Sequence, residues 1–292
     1  MTLRLRDRDL ELVPGQPALM GIVNATPDSF SDRQGPKDPG ALVERGLALE
    51  IEGAAIVDVG GESGRTDREA VSEQEEADRI VPVIEGLVAK QVTVSVDTWR
   101  PGPVRAALEA GAAMVNDVSG LAEPQLARLC AEYGAALVIT HTRVEPKVKE
   151  YADPPDVMRD VRIFLEGRMA LAREHGLGVD QLLLDPGLDL GKRVGESVEI
   201  LTRLGELEPL DRPLLLAISR KDFVGAITYK RPAERDPGTL GAVEPALDLG
   251  VGSLLRVHDV AGARDFLDVR GQLRGDSPRF TGLAPELRRE TA

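Results

Sequence analysis

VTVSVDTWRPGPVRAALEAGAAMVNDV, residues 92–118, reads as one strand–helix–strand unit. VTVSVD (92–97) is a β-branched, nearly continuous apolar run that turns polar at Asp97. PGPVRAALEAG follows with helical periodicity and closes at Ala110-Gly111, where glycine supplies the left-handed residue that ends many helices. AMVNDV (113–118) is again an apolar run, turning polar at Asn116-Asp117. Apolar strands buried on both faces and joined by helices belong to parallel sheets.

The same unit recurs on both sides. Further apolar runs are ALMGIV (18–23), AIVDVG (55–60), ALVIT (136–140), LLLDP (182–186), LLLAIS (214–219) and SLLRVH (253–258), with helical stretches such as SEQEEADRIVPVIEGLVAK between them. One helix closes at Gly53, and Ser72 with Glu75 fits a capping box at the start of another. Eight such units predict a single (β/α)8 barrel, which typically takes about 250 residues. A doubly wound open sheet is the alternative, because strand order is invisible in sequence. The barrel is expected over residues 1–274, followed by a polar tail at 275–292.

Composition narrows the function classes. The 292-residue chain is 42% hydrophobic and 29% charged, a globular balance. Its net charge of −13 argues against nonspecific nucleic-acid binding. No apolar run is long enough for a membrane span, and MTLRLRDRDLELVPG lacks a signal core, so a cytoplasmic enzyme is expected. The single cysteine, Cys130, is expected to be helix core rather than a disulfide partner.

Each apolar run ends in hydrogen-bonding residues: Asn24; Gly60-Gly61-Glu62-Ser63; Asp97; Asn116-Asp117; Thr140-His141; Asp185; Ser219-Arg220-Lys221; and Arg256, His258 and Asp259. In a barrel these ends share one face, where active sites are built. Any one of them could be a helix cap or turn former. Capping, however, does not call for Lys and Arg at neighbouring strand ends opposite Asp and Asn. Asp97, Asn116, Asp185 and Lys221 suit a flat heterocycle with an amidine-like edge and a ring carbonyl. Arg256 and His258 beside Asn24 suit a phosphate or diphosphate with a divalent metal.

MGIVNATPDSFSD (20–32), DVGGESGR (58–65), SVDTWRP (95–101), NDVSG (116–120), LDPGLDLGK (184–192), SRKDFVG (219–225) and RVHDV (256–260) resemble, in order, the signatures of the dihydropteroate synthase family. The resemblance spans about Met20 to Leu273. It implies a pterin-binding TIM barrel of folate biosynthesis, a transferase joining 6-hydroxymethyl-7,8-dihydropterin diphosphate to p-aminobenzoate with release of diphosphate. It further implies that Asp97, Asn116, Asp185 and Lys221 hold the pterin, with Asp97, Asp185, Lys221 and Arg256 catalytic. Asn24, Arg65, Arg256 and His258 would surround the diphosphate, and Asn24 would meet a magnesium ion. Ser219 and Lys221 would help place p-aminobenzoate, with loops 25–38 and 62–70 closing over it. A homodimer is implied too, with helices at 238–249 and 261–273 as contact surfaces.

The chain departs from the family pattern at Gly64 and Thr66, where Thr and Pro are usual, and at Thr140 and Thr142, where Met-His-Met becomes Thr-His-Thr. Leu190 replaces a usual phenylalanine. These changes, with Asp97-Thr98-Trp99-Arg100, resemble a divergent group of actinobacterial synthase-like paralogues, so a pterin-binding paralogue with altered amine specificity or no synthase activity is the alternative reading. A pterin-binding methyltransferase domain would lack the Ser-Arg-Lys and Arg-Val-His-Asp motifs. A non-catalytic pterin binder would need no leaving-group site.

Overall fold

The computed structural model describes residues 1–6, 8–26, 38–62, 70–148, 150–151 and 153–275. Two short strands come first, β1 (Thr2–Arg4) and β2 (Asp9–Glu11). Eight strands then alternate with helices: β3 (Ala18–Asn24), β4 (Ile56–Gly60), β5 (Val94–Asp97), β6 (Met114–Asp117), β7 (Ala136–Thr140), β8 (Leu182–Asp185), β9 (Leu214–Leu216) and β10 (Ser253–Val257). All eight pair in parallel, in the closed order β10-β3-β4-β5-β6-β7-β8-β9. The predicted (β/α)8 barrel is therefore the observed fold, and the open sheet is excluded.

The helices are α1 (Pro39–Ile51), α2 (Glu73–Val88), α3 (Pro101–Glu109), α4 (Gln125–Tyr133), α5 (Val157–Glu174), α6 (Val194–Thr202), α7 (Asp222–Thr228), α8 (Asp236–Gly241) and α9 (Val260–Arg274). Helix α2 buries Ile80, Val83, Ile84 and Leu87, spaced as one helical stripe against the sheet. Ser72 caps it by accepting from the Glu75 N–H at 3.1 Å, while the Glu75 carboxylate turns to Arg79 instead of completing the reciprocal box. Gly53 and Gly111 have φ of +113° and +106°, the left-handed closures expected from sequence. Cys130 is buried in the helix–sheet core.

Alternation along the strands divides the interior in two. Val57, Val59, Val96, Val115, Leu137, Ile139, Leu184 and Leu216 face the helices. Met20, Ile56, Met114, Val138, Leu183, Leu215 and Leu254 form a second cluster with Leu3, Leu5 and Leu12. That second cluster fills the lumen, and the β1–β2 hairpin stoppers its N-terminal end. Arg6 and Arg8 fix the hairpin by donating to the carbonyls of Leu108 and Ala55. Alternating Leu and charge over residues 2–12 is what a half-buried hairpin requires, although the sequence reading did not find it.

Strand β9 is shorter than its apolar run, and Arg220 beyond it sits at φ +57°. The helix expected over 238–249 breaks into α8 and a 3-10 turn, Glu244–Asp248, started by Pro245. The expected tail lies outside the described residues, Gly275 excepted. No described helix is long and apolar enough to cross a membrane.

Candidate active site

Strand parity decides which side chains enter the lumen. Ile56, Met114, Val138, Leu183 and Leu254 are lumen residues, so Asp58, Asn116, Thr140, Asp185 and Arg256, each two positions further along, point inward one layer above them. The floor is apolar and the next layer is polar. That step in polarity places the site at the C-terminal mouth.

Arg256 is the centre of the polar layer. Its Nε donates to Asp58 Oδ2 at 2.6 Å and its Nη2 to Asp97 Oδ2, also at 2.6 Å. Asn116 Nδ2 donates to the same Asp58 oxygen at 3.0 Å, leaving Asn116 Oδ1 buried without a partner among the described residues. One guanidinium thus spans two carboxylates from adjacent strands. Burial lifts the Asp97 carboxyl to about 7, with Arg256 opposing and Asp58 and Glu76 adding to the rise. Burial likewise disfavours charge on Arg256, but Asp58 and Asp97 overcome it and hold the guanidinium protonated.

The opposite wall is built on the loop after β8. Burial raises the Asp185 carboxyl, opposed by the Gly187 N–H, which donates to Oδ1 at 2.7 Å, and by Lys221 and Lys192. Gly187 has φ +71°, and a Cβ there would lie 1.9 Å from the His141 carbonyl oxygen, so no other residue fits. Lys192 Nζ donates to the carbonyls of His141, Gly187 and Leu190 at 3.1, 2.7 and 3.1 Å, and Lys221 Nζ donates to Leu188 at 3.0 Å. Two ammonium groups therefore hold a loop of inward carbonyls beside Asp185.

Ser219 and His258 form the third side. The His258 backbone N–H donates to Ser219 Oγ at 3.2 Å, and that hydroxyl lies 2.9 Å from His258 Nδ1. Burial drives the imidazole down to about 3, with Arg220 and Arg256 adding to the fall, so it is neutral near pH 7. A serine proton shared with Nδ1 leaves the ring N–H on Nε2, available as a donor. Asn24 ends β3 level with Gly60 of β4. Arg65, Gly64 and Thr66 lie outside the described residues, as do most of loops 25–38 and 62–70.

Other strand-end residues serve the scaffold. Asp117 accepts from Ser119 and Leu121 as a turn cap, and Asp259 caps α9 through the Gly262 N–H. His141 turns outward to Asp160 at 3.0 Å and packs edge-on against Phe164. Arg220 pairs with Asp236 in a two-pronged contact at 2.7 and 2.8 Å. Glu62, at the root of the second loop, is gripped by Arg100 at 2.5 Å and Lys147 at 2.7 Å. The sequence reading missed Asp58 and Lys192. A charge inside the otherwise apolar run AIVDVG was the available signal for Asp58, since buried Asp is rare unless paired; Lys192 had only its place in LDPGLDLGK.

This mouth offers carboxylates, an amide and an ammonium to a polar ring, and a guanidinium with an imidazole N–H to an anion. Residues 20–258 match the family described as pterin binding enzyme. The dihydropteroate synthase of Mycobacterium leprae is 40% identical over 272 residues, covering 90% of this chain and 94% of that one. The Xanthomonas albilineans dihydropteroate synthase solved with 4-aminobenzoic acid is 39% identical with a TM-score of 0.85, covering 95% of this chain and all of that one. The same enzyme solved with 7,8-dihydropteroate is 38% identical with a TM-score of 0.83, at the same coverage.

Proposed function

The chain belongs to the dihydropteroate synthase family of pterin-binding enzymes, and from that premise we infer how its mouth joins 6-hydroxymethyl-7,8-dihydropterin diphosphate to p-aminobenzoate. The observation that carries the assignment is Arg256 shared between Asp58 and Asp97, with Asn116 and Asp185 on the same rim. The pterin edge sits against Asp97, Asn116, Asp185 and Lys221. Asn116 Oδ1 supplies an acceptor that no other described residue uses. The diphosphate lies toward Arg256, His258 and Asn24, with Ser219 and Lys221 near the incoming amine; Arg65, which the family resemblance adds to the diphosphate contacts, lies outside the described residues.

As the bond from the pterin methylene carbon to the diphosphate oxygen breaks, its electron pair leaves on the diphosphate. Ionised Asp97 and Asp185 stabilise the positive charge spreading into the ring. Arg256 Nη1, which has no acceptor among the described residues, and the His258 Nε2–H meet the departing anion. The amine lone pair of p-aminobenzoate then forms the new carbon–nitrogen bond, and the proton shed by the amine passes to the released diphosphate or to water. Preorganised charges of this kind are worth ~3–4 kcal/mol each.

Magnesium belongs to the same proposal, with the amide oxygen of Asn24 as its protein ligand and its chemistry limited to countering charge on the diphosphate. The donor set suits an ion carried in by substrate: the described residues include no group of three or more His, Cys, Asp or Glu side chains that could cage a metal. Magnesium commonly takes one or two protein ligands, with phosphate oxygens and water for the rest. A homodimer is also proposed. Exposed Val269 and Leu273 on α9 support that surface, and light scattering at twice 31.4 kDa would establish it. A cytoplasmic setting suits two small polar substrates.

The deciding experiment is diphosphate release from the pterin substrate with magnesium, with and without p-aminobenzoate. Amine-dependent release with formation of dihydropteroate is expected. Tight pterin binding without amine-dependent turnover would overturn the synthase reading in favour of the paralogue reading.

A further inference from the structure

Two threonines flank His141 where the family pattern has methionine, and their hydroxyls differ. Thr142 Oγ1 donates to the Val144 carbonyl at 2.8 Å and accepts from the Val144 N–H, so it is satisfied inside its own turn. Thr140 Oγ1 is fully buried and has no hydrogen-bond partner among the described residues. Its direction follows from parity. Leu137 and Ile139 face the helices, whereas Ala136 and Val138 belong to the lumen cluster, so Thr140 faces the lumen one layer above Val138. It is the register partner of Asp185 on β8, and Asn116 on β6 pairs with Val138 directly beneath it.

Buried hydroxyls without a partner are uncommon in native interiors, because burial removes water and returns nothing. Here a second orphan, Asn116 Oδ1, lies in the same part of the lumen. Two unsatisfied polar atoms on neighbouring strands, beside a carboxylate raised by burial, describe a surface made to be completed by a polar ligand. Valine would fill the volume of Thr140 at no desolvation cost, so the hydroxyl is not explained by packing.

We propose that Thr140 is a specificity-determining contact for the heterocycle: its hydroxyl hydrogen-bonds a polar ring atom between Asn116 and Asp185. The proposal rests on the pterin-binding reading and adds to it a contact that methionine could not make. A hydroxyl can donate or accept, so this wall accepts a ring nitrogen or an oxo group, whereas a thioether offers only soft apolar surface.

The test compares wild type, Thr140→Val and Thr140→Ser. Binding of 6-hydroxymethyl-7,8-dihydropterin diphosphate is measured by calorimetry, and melting is followed without ligand. Thr140→Val should weaken pterin binding about 5–10-fold, the loss of one hydrogen bond, leave the KM for p-aminobenzoate unchanged, and raise the ligand-free Tm by about 2–4 °C. Thr140→Ser should bind within about twofold of wild type, since it keeps the donor and acceptor. Equal pterin affinity in Thr140→Val and wild type would overturn the proposal, as would a lowered Tm in Thr140→Val, which would reveal an internal partner. Equal weakening in Thr140→Ser would assign the effect to shape and overturn it too. If wild type itself fails to bind the pterin, the functional reading falls and Thr140 with it.

Discussion

Asp58→Asn is the most informative single change, because it removes charge and almost no volume. Asp58 is completely buried, and its Oδ2 accepts from Arg256 at 2.6 Å and Asn116 at 3.0 Å. An asparagine oxygen can still accept, so what is lost is mainly the charge on the stronger contact. Hydrogen bonds to charged groups contribute about 1.5–3 kcal/mol. Leaving a buried charge wholly unpaired costs about 3–5 kcal/mol, but Asp97 remains on Arg256 Nη2. The expected destabilisation is therefore about 2 kcal/mol, a fall in Tm of roughly 4–6 °C for a domain of this size. A second effect has the opposite flavour. Burial is the main cause that raises the Asp97 carboxyl to about 7, and Asp58 adds to it. With that neighbour neutral and Arg256 undivided, Asp97 should ionise about one pH unit lower. The proposed mechanism uses Asp97 ionised, so on that mechanism the acid limb of kcat/KM should move down by that amount while the enzyme becomes less stable. Denaturant melts and a pH–rate profile on the same preparation read both. A variant within 0.5 kcal/mol of wild type (roughly the scatter of a neutral substitution) with an unmoved acid limb would refute the sharing of Arg256.

Arg256→Ala should lower turnover by roughly 10²–10³, and unchanged steady-state kinetics would remove Arg256 from the diphosphate site. His141 is driven down to about 3, chiefly by burial with Lys192 adding, so the folded state holds it neutral while the unfolded chain protonates it below its ordinary pKa near 6.5. Its contribution to stability is present above pH ~6.5 and lost as pH falls toward 3. His141→Gln should therefore flatten the slope of unfolding free energy against pH between 4 and 6 by up to about 1.4 kcal/mol per unit, as measured by urea titration across that range. Chelating magnesium should abolish diphosphate release and leave the Tm of the ligand-free protein unchanged; a falling Tm would mean a structural ion.

The architecture was legible because barrel strands carry their signal locally. Most runs are apolar on both faces, and each ends where polarity returns, so strand count and mouth residues follow from the chain alone. Strand ends were less legible. LLLAIS looks like one strand, yet β9 stops at Leu216, and the chain beyond it reaches the left-handed turn at Arg220. The hairpin escaped because it has three paired residues per strand and is stabilised by the barrel floor, not by its own sequence. Partnership was hardest to read. Nothing local tells that Asp117 and Asp259 cap turns while Asp97, at an equivalent strand end, pairs with Arg256, 159 positions away.

Asp58 shows why such partnership matters for the reaction. A lone Arg256 at the mouth would be a flexible cation, free to take any anion in any pose. Held by Nε and Nη2 on two strands, the guanidinium has its plane fixed before substrate arrives, and only the remaining N–H groups are left for an anion. Orientation is thus settled in the ligand-free protein, where its entropic cost falls on folding instead of on the transition state. The same contacts make Arg256 the side chain that touches both halves of the mouth. It bonds Asp97 at 2.6 Å, and in the proposed reaction it would also face the leaving group, so charge growing on the diphosphate and charge growing in the pterin would act on one guanidinium–carboxylate pair. In the proposed reaction, an anion drawing on Arg256 would loosen its hold on Asp97 and free that carboxylate toward the ring as positive charge appears there.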